Sequence, residues 1–148
     1  MKKTPLQYAL DMISLRDRSE FELHKKMVRK EYSEEEIATT IEWLKDKKFL
    51  NDERFAEHFI KYQMSLGRVG KQKIKLKLYQ LGVAEDLINK YLNDQGENEL
   101  ENAQIQAQKW LVRSKITDKY EQKNKLFRFL LGRGFNYDII IKATEKLK

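Results

Sequence analysis

The chain has 148 residues, enough for one ordinary domain or a short row of small ones, and it contains no cysteine. The sequence therefore excludes disulfides, thiolate nucleophiles and metal sites with cysteine ligands. Hydrophobic residues make up 41% of the chain and can form a core, while charged residues make up 36%, above the usual share of about 25%. No apolar run approaches a membrane span of ~20 residues and no signal core follows Met1, so we expect a soluble, unprocessed, cytoplasmic protein.

Basic residues outnumber acidic residues by 30 to 23, which gives a net charge of +7. Most of the excess lies in residues 101–148, with 11 basic and 5 acidic side chains. A second basic cluster runs from Lys61 to Lys77 without an acidic residue. This pattern predicts an acidic partner such as nucleic acid. The alternative is a lysine-rich surface that serves solubility.

Helix signals start at Thr4 and Pro5, a capping hydroxyl before a proline suited to the first helical position. Ser19–Glu22 and Ser33–Glu36 match the capping box, in which a hydroxyl and a carboxylate satisfy the free amides of a helix start. Two more helices are predicted there. Apolar residues also recur with helical spacing, beginning with Leu6, Ala9, Leu10 and Ile13.

The segment Lys73–Leu78 alternates basic and apolar residues, which by itself is typical of a half-buried strand. An internal repeat favours a helix instead. Five apolar positions recur after 51 residues, and four of them recur again 52 residues later: Leu23, Met27, Tyr32, Ile37 and Ile41, then Ile74, Leu78, Val83, Ile88 and Leu92, then Leu126, Leu130, Phe135 and Ile140.

These copies predict an all-α fold of three tandem three-helix repeats that form an elongated, curved helical array. We predict the repeats at residues 1–50, 51–95 and 96–148. The turns Leu81–Val83 and Arg133–Phe135 contain a glycine that can close a helix in the left-handed conformation, whereas Lys30–Tyr32 has none. The polar segment Asn93–Asn98 is the predicted linker before the third repeat.

No pattern indicates catalysis, a cofactor or a bound metal. His24 and His58 lack a metal-ligand spacing and a neighbouring nucleophile, so we expect both on the surface. Gly67–Gly70 matches the GxxG loop that clamps nucleic acid in KH domains, but the strands of that fold are not predicted and a helix-to-helix turn is preferred. Trp43 and Trp110 lie on predicted apolar faces, which favours core packing over stacking on bases.

Four stretches follow one another in a recognisable order. They are Leu15–Ser19 with Glu22 and Leu23, then Phe49–Ala56, then Gly67 and Gly70 leading to Leu81–Val83, and finally Leu130, Arg133–Phe135 and Ile140. Together they resemble the RecX family, the bacterial regulators of the RecA recombinase, over nearly the whole chain. The missing glycine in Lys30–Tyr32 departs from the family pattern.

The resemblance implies tandem three-helix repeats that lodge in the helical groove of a RecA filament on DNA. There the protein is expected to inhibit filament growth, ATP hydrolysis, strand exchange and the repressor cleavage of the SOS response. The implied partners are the RecA filament and single-stranded or double-stranded DNA, through the filament and also directly, with no membrane. We expect a monomer.

The motif residues are implied to be mainly structural, with Asn51 and Asp52 as a cap between copies and Phe55 in the core. The expected contacts with filament and DNA are basic, because a filament groove exposes acidic and phosphate surface. They are Arg16, Arg18, Arg68, Lys71, Lys73, Lys123, Lys125 and Arg133.

Two other functions are open from the residues. A RecA-independent helical DNA-binding protein or adaptor is the main alternative, since a three-helix unit with a tight second turn resembles a helix-turn-helix. Acidic residues at the predicted starts of the third helices, in Glu34–Glu36, Glu85–Asp86 and Asp138, disfavour reading of a DNA groove. An enzyme is the third hypothesis, but no nucleophile, metal site or phosphate cradle supports it.

Overall fold

The structure, a computed structural model, describes residues 2–145 and 147. Regular secondary structure in this part of the chain is entirely helical, so the predicted all-α class is confirmed. The helices are α1 (Pro5–Leu15), α2 (Glu20–Arg29), α3 (Glu34–Asp46), α4 (Asp52–Leu66), α5 (Lys71–Gln80), α6 (Glu85–Leu92), α7 (Gly96–Arg113), α8 (Lys119–Gly132) and α9 (Tyr137–Glu145), with a 3₁₀ turn at Asn93–Gln95.

The first three helices start at the predicted caps. Thr4 precedes Pro5 and forms a capping box with Gln7. Ser19 accepts the Glu22 N–H and Ser33 accepts the Glu36 N–H, each at 3.1 Å, and both glutamates bond back to the cap amide. Each cap satisfies amides that the helix itself leaves free, a contribution of about 1 kcal/mol.

The segment that alternates like a strand lies within α5, as the repeat predicts. Ile74 and Leu78 are buried, whereas Leu76 is 57% exposed. Residues four apart share a helix face and a residue two apart lies on the opposite side, which explains this burial pattern. The alternation therefore reflects one exposed leucine on a helix rather than a pleated strand.

Residue contacts divide the chain into two compact units. Unit 1 comprises Met1–His58 and Leu78–Ile88, and unit 2 comprises Phe59–Lys77 and Asn89–Lys148. Unit 1 has a core between α1, α2 and α3, which includes Ala9, Leu23, Met27, Ile37 and Leu44. Unit 2 has a core between α7, α8 and α9, which includes Ala103, Ala107, Leu126, Leu130, Phe135 and Ile140. Phe55, predicted to be a core residue, is buried.

Two local predictions are wrong. The predicted linker Asn93–Asn98 is helical, because the 3₁₀ turn runs directly into α7 and Gly96 has a helical φ of −58°. Glu97 and Glu99 then lie in the first turn of α7, where the charge of the exposed Glu97 offsets the helix dipole. Trp43 is 38% exposed and stacks on Phe49, with ring centroids 6.0 Å apart, rather than lying in the core.

The first tight turn closes without glycine. Glu31 adopts a φ of +66°, the left-handed conformation that glycine supplies in the later turns, and the Tyr32 N–H donates to Met27 O at 3.3 Å. A side chain in this region costs on the order of 1 kcal/mol. The Tyr32 hydroxyl donates to Lys3 O at 2.7 Å, which anchors the turn to the start of the chain.

Candidate functional site

The loop Gly67–Gly70 joins α4 to α5 and is held from one side by α7. The Asn102 side chain donates to Met64 O at 2.9 Å, and the Gln106 side chain donates to Gly67 O at 3.0 Å. These bonds satisfy carbonyl groups that the end of α4 leaves free. The loop is therefore a helix-to-helix turn, as preferred over the KH-type clamp.

The start of α5 is covered by a second turn from the same unit. The N–H groups of Gly70, Lys71 and Gln72 donate to Arg133 O at 2.8 Å, the Glu99 carboxylate at 2.6 Å and Gly134 O at 3.0 Å, respectively. We call this arrangement, formed by Gly70–Lys73, the turn Arg133–Gly134 and Glu99, the second joint. Its amides bond to the protein itself, so they do not serve to clamp a nucleic-acid backbone.

Close backbone packing at the second joint requires glycine twice. A Cβ at position 70 would lie 2.6 Å from Gly134 C and from Phe135 N, both backbone atoms. Gly134 has a φ of +91°, and a Cβ there would lie 2.7 Å from the Lys73 amide nitrogen. Two chain segments thus meet without side chains between them, which places the residues that flank them close together.

Four predicted contact residues lie in this joint or beside it, and we call them the basic junction: Arg68, Lys71, Lys73 and Arg133. Arg68 and Lys73 are exposed, and Lys71 and Arg133 are half-buried. Lys73 Nζ lies 3.4 Å from Gly132 O, and Arg133 Nη1 lies 3.5 Å from Arg68 O. The Arg133 guanidinium also lies 5.0 Å from the centre of the Phe129 ring. These contacts with carbonyl groups and an aromatic ring orient the Lys73 and Arg133 side chains but do not neutralise their positive charge.

Glu99 lies under the basic junction and is 2% exposed. Burial raises the pKa of this carboxyl, while the bond from the Lys71 N–H and the charge of Lys71 oppose that rise. The carboxylate is directed to the start of α5 rather than to solvent. It therefore organises the joint and does not mask the exposed cations.

Lys123 and Lys125, also predicted contacts, are exposed on α8. Lys125 forms an ion pair with Glu121 at 3.2 Å. A helix rises about 1.5 Å per residue, so Lys125 lies roughly 12 Å along α8 from Arg133. The structure therefore does not bring these two lysines into the basic junction.

Arg16 and Arg18, the remaining predicted contacts, lie in unit 1 and bind one carboxylate. Both guanidinium groups pair with Glu22, at 3.2 Å for Arg18. The Arg18 side chain is 9% exposed and also donates to Met12 O at 3.2 Å. Burial and two partners give Arg18 a structural role, and Glu22 neutralises part of the charge on which the prediction rested.

Unit 1 contains a joint of the same plan, which we call the first joint: Ser19–Phe21, the turn Leu81–Gly82 and Asp52. The Ser19 hydroxyl donates to Leu81 O at 2.5 Å, and the Glu20 N–H donates to Asp52 Oδ1 at 2.8 Å. Gly82 has a φ of +76° and packs on the Phe21 side chain. Asp52 is thus a cap, as expected, but of α2. Asn51 caps α4 by accepting the Arg54 N–H at 3.0 Å.

Sequence reasoning missed a set of cations on α2. Lys25, Lys26 and Arg29 line a groove that begins at Phe21. The signal was present, since Phe21, Lys25 and Arg29 are spaced by four residues and share a helix face. Nearby acidic residues in the sequence hid this local excess of positive charge.

The histidines and the helices add no further site. His58 is exposed, with Nδ1 3.7 Å from the Asp17 carboxylate, and His24 is half-buried. Within the described residues, no three His, Cys, Asp or Glu side chains are grouped so that they could hold a metal. None of the helices described above is long and apolar enough to cross a membrane.

The fold and the site define a repeat protein of three-helix units with a basic surface at one joint. Three family models match the chain in order: the first three-helix domain of RecX over residues 6–44, the second over 51–92 and the third over 97–144. The chain belongs to the RecX family.

Relatives named regulatory protein RecX support this membership. The protein of Actinobacillus pleuropneumoniae serotype 5b is 36% identical, over 91% of this chain and 87% of the relative. That of Chlorobium limicola is 34% identical, over 99% and 91%. That of Clostridium perfringens strain SM101 is 41% identical over 94% of this chain, which spans 66% of the length of that relative.

Solved structures show the same fold. The crystal structure of RecX from Lactobacillus salivarius superposes with a TM-score of 0.88 at 26% identity, over 97% of this chain and 94% of that one. A second crystal structure, of regulatory protein RecX, gives a TM-score of 0.89 at 21% identity over 96% of this chain, which supports the fold alone.

Proposed function

We propose that this protein is a regulator of the RecA recombinase that binds in the groove of the RecA–DNA filament and restrains filament growth, ATP hydrolysis and strand exchange. Membership of the RecX family across all three helical units is the observation that carries the proposal. No step of this function requires catalysis by the chain itself. The protein acts as a monomer in the cytoplasm, with repeats at 1–50, 51–95 and 96–148.

The basic junction is the proposed point of contact with acidic and phosphate surface of the filament. Arg68 lies in the loop before α5 and Lys73 lies in the first turn of α5, and backbone hydrogen bonds from Gly70 and Gln72 hold the Arg133–Gly134 turn against them. Because the backbone that carries these side chains is already ordered, less conformational entropy is lost when they bind a partner. Lys123 and Lys125 form a second proposed contact on α8, and Arg16 contributes at the edge of unit 1.

The test follows ATP hydrolysis by RecA on saturating single-stranded DNA while this protein is titrated well below one copy per RecA. Inhibition at low ratios is expected, because a regulator of the filament acts on many subunits per bound copy. Competition for DNA would require amounts comparable with the number of sites. Hydrolysis that is unchanged at every ratio would contradict the proposal.

The contact residues are tested by the double charge reversal K71E/K73E. We expect at least about tenfold weaker inhibition, because repulsion replaces attraction at a surface that faces anions. The matched control is K109E/K115E, which makes the same charge change at exposed positions of unit 2 outside the junction. Equal inhibition by both double variants, with unchanged helical circular dichroism, would remove the basic junction from the proposal.

A further inference from the structure

A groove of about 190 Å³ runs along α2 in unit 1, beside the end of α5. One wall carries Lys25, Lys26 and Arg29, and Gln80 lies on the other. Phe21 lies at the start of this groove and is 45% exposed. The volume is below the ~300–1,000 Å³ of pockets that enclose small molecules. It suits a phosphate-sized group with the rest of its ligand on the surface.

The charge in the groove is available to a ligand. Lys25, Lys26 and Arg29 form no ion pair with any described acidic side chain. Glu22 also lines the groove, but its carboxylate binds Arg16 and Arg18. The groove therefore has three cations and one carboxylate that is already neutralised, which favours an anion.

An aromatic ring beside the cations narrows the class of anion. Lys25 Nζ lies over the Phe21 ring, 5.4 Å from its centre, and Phe21 is 45% exposed, so a ligand that contacts the ring also meets this charge. Bases stack on such rings, while lysine and arginine bind the phosphates next to them. The carboxylates of an acidic peptide would use the cations but not the exposed ring.

This chemistry is not a general property of the repeat. The positions 51 residues later on α5 are Gln72, Leu76, Lys77 and Gln80, in place of Phe21, Lys25, Lys26 and Arg29. The ring and two of the three cations are absent there, although the two joints share the same backbone plan. The groove on α2 thus has its own composition.

We propose that the α2 groove binds one nucleotide, with its phosphate between Lys26 and Arg29 and its base against Phe21. The nucleotide is either free or part of a single strand, since both present the same phosphate and base. This site does not depend on binding to a recombinase.

The test measures fluorescence anisotropy of fluorescein-labelled oligothymidylate with the full chain. F21A is expected to weaken binding about fivefold or more, because it removes one stacked base. F21A keeps the Cβ but removes the Cγ and Cδ1 atoms that also lie against Gly82, so F21L is the second variant, because it retains carbon atoms at those positions without the aromatic face. The double variant K26A/R29A is expected to reduce the magnitude of the slope of log affinity against log salt by about 0.7, because the site neutralises one phosphate. K26A and R29A alone should each give part of that reduction.

The matched control is K77A, which removes one lysine at the equivalent repeat position of α5. An abasic oligonucleotide of the same length separates stacking from phosphate binding, and F21A should leave its affinity unchanged. Direct titration with thymidine monophosphate identifies the source of the nucleotide. If wild type binds thymidine monophosphate and F21A and R29A do not, the ligand is a free nucleotide. If these variants lose affinity for oligothymidylate only, the ligand is a nucleotide within a strand.

Three results would overturn the proposal. One is binding of oligothymidylate and of thymidine monophosphate by K26A, R29A and F21A at the wild-type level. Another is an equal loss in K26A and K77A, which would indicate general attraction by net charge. The third combines two observations: polyglutamate competes for binding in a way that requires Lys26 and Arg29, and F21A does not change the affinity for oligothymidylate. That result would make the groove a site for acidic peptide.

Discussion

The first and second joints have the same architecture but obtain it from different groups. In each, the start of a helix meets a turn with a left-handed glycine, Gly82 or Gly134. At the first joint the Ser19 side chain bonds to the turn, whereas at the second the Gly70 backbone N–H does so. These residues are 51 positions apart and correspond in the repeat. The equivalent carbonyl group of the turn is thus bound by a serine hydroxyl at the first joint and by the backbone N–H of a glycine at the second.

The two joints differ also in charge. At the first, Arg16 and Arg18 are bound to the Glu22 carboxylate. At the second, the polar contacts of Lys73 and Arg133 are carbonyl groups, which leave their positive charge uncompensated. Arginines beside a cap can therefore stabilise the fold, while the cations of the second joint, which lie at other positions of the repeat, remain available to an acidic partner.

The largest expected effect is at Gly70, where the second joint depends on the absence of a side chain. Gly70→Ala should lower the free energy of unfolding by about 3 kcal/mol, because the new methyl would contact backbone atoms that cannot move separately. Urea denaturation followed by circular dichroism measures this loss. Gly132→Ala is the control, since a Cβ at that position contacts nothing within 4 Å. Similar stability of both variants would show that the joint is not closely packed.

A smaller effect separates the two functions of Ser19. Ser33→Ala removes an exposed cap and should cost about 1 kcal/mol. Ser19→Ala removes an equivalent cap and also the bond to Leu81 O, from a residue that is fully buried, so it should cost about 1 kcal/mol more. The two variants are compared by the same urea denaturation. Equal losses would mean that the serine bond contributes nothing to the first joint.

The sequence was sufficient for the helices and for their arrangement in repeats. Capping boxes at Ser19 and Ser33 are local signals, and both helices start there. The repeat resolved the ambiguity of Lys73–Leu78, because its copies share burial at Ile74 and Leu78. Polar composition alone was a poor guide at Asn93–Asn98, since residues without a proline can continue a helix.

The joints could not be predicted, because they depend on contacts between distant parts of the chain. Ser19 bonds to a carbonyl 62 residues away, and Lys71 bonds to a carboxylate 28 residues away. Arg18 was named as a predicted contact because it is basic, whereas its burial against Glu22 appears only in three dimensions. The basic junction was partly predicted, since its four residues were named without the turn that brings them together.

The smallest effect concerns the acids of the two joints, Asp52 and Glu99, whose pKa values burial raises. A carboxyl with a raised folded-state pKa contributes stability below its unfolded pKa, and that contribution is lost as pH rises through the folded pKa. Glu99→Gln keeps an oxygen for the Lys71 N–H and removes the buried charge. At pH 7 the free energy of unfolding of Glu99→Gln should therefore equal that of the wild type or exceed it by under about 1 kcal/mol. Asp52→Asn should behave likewise.

The pH dependence tests this sign directly. When the pH falls from 7 to 4.5, wild type should gain stability relative to Glu99→Gln, as measured by urea denaturation at each pH. Glu36→Gln is the control of opposite sign, because bonds from Ser33 lower the pKa of Glu36. The contribution of Glu36 is present above its unfolded pKa and is lost as pH falls through the folded pKa. If Glu99→Gln followed the course of Glu36→Gln, the carboxylate of Glu99 would stabilise the second joint by its charge, and burial would not dominate its energetics.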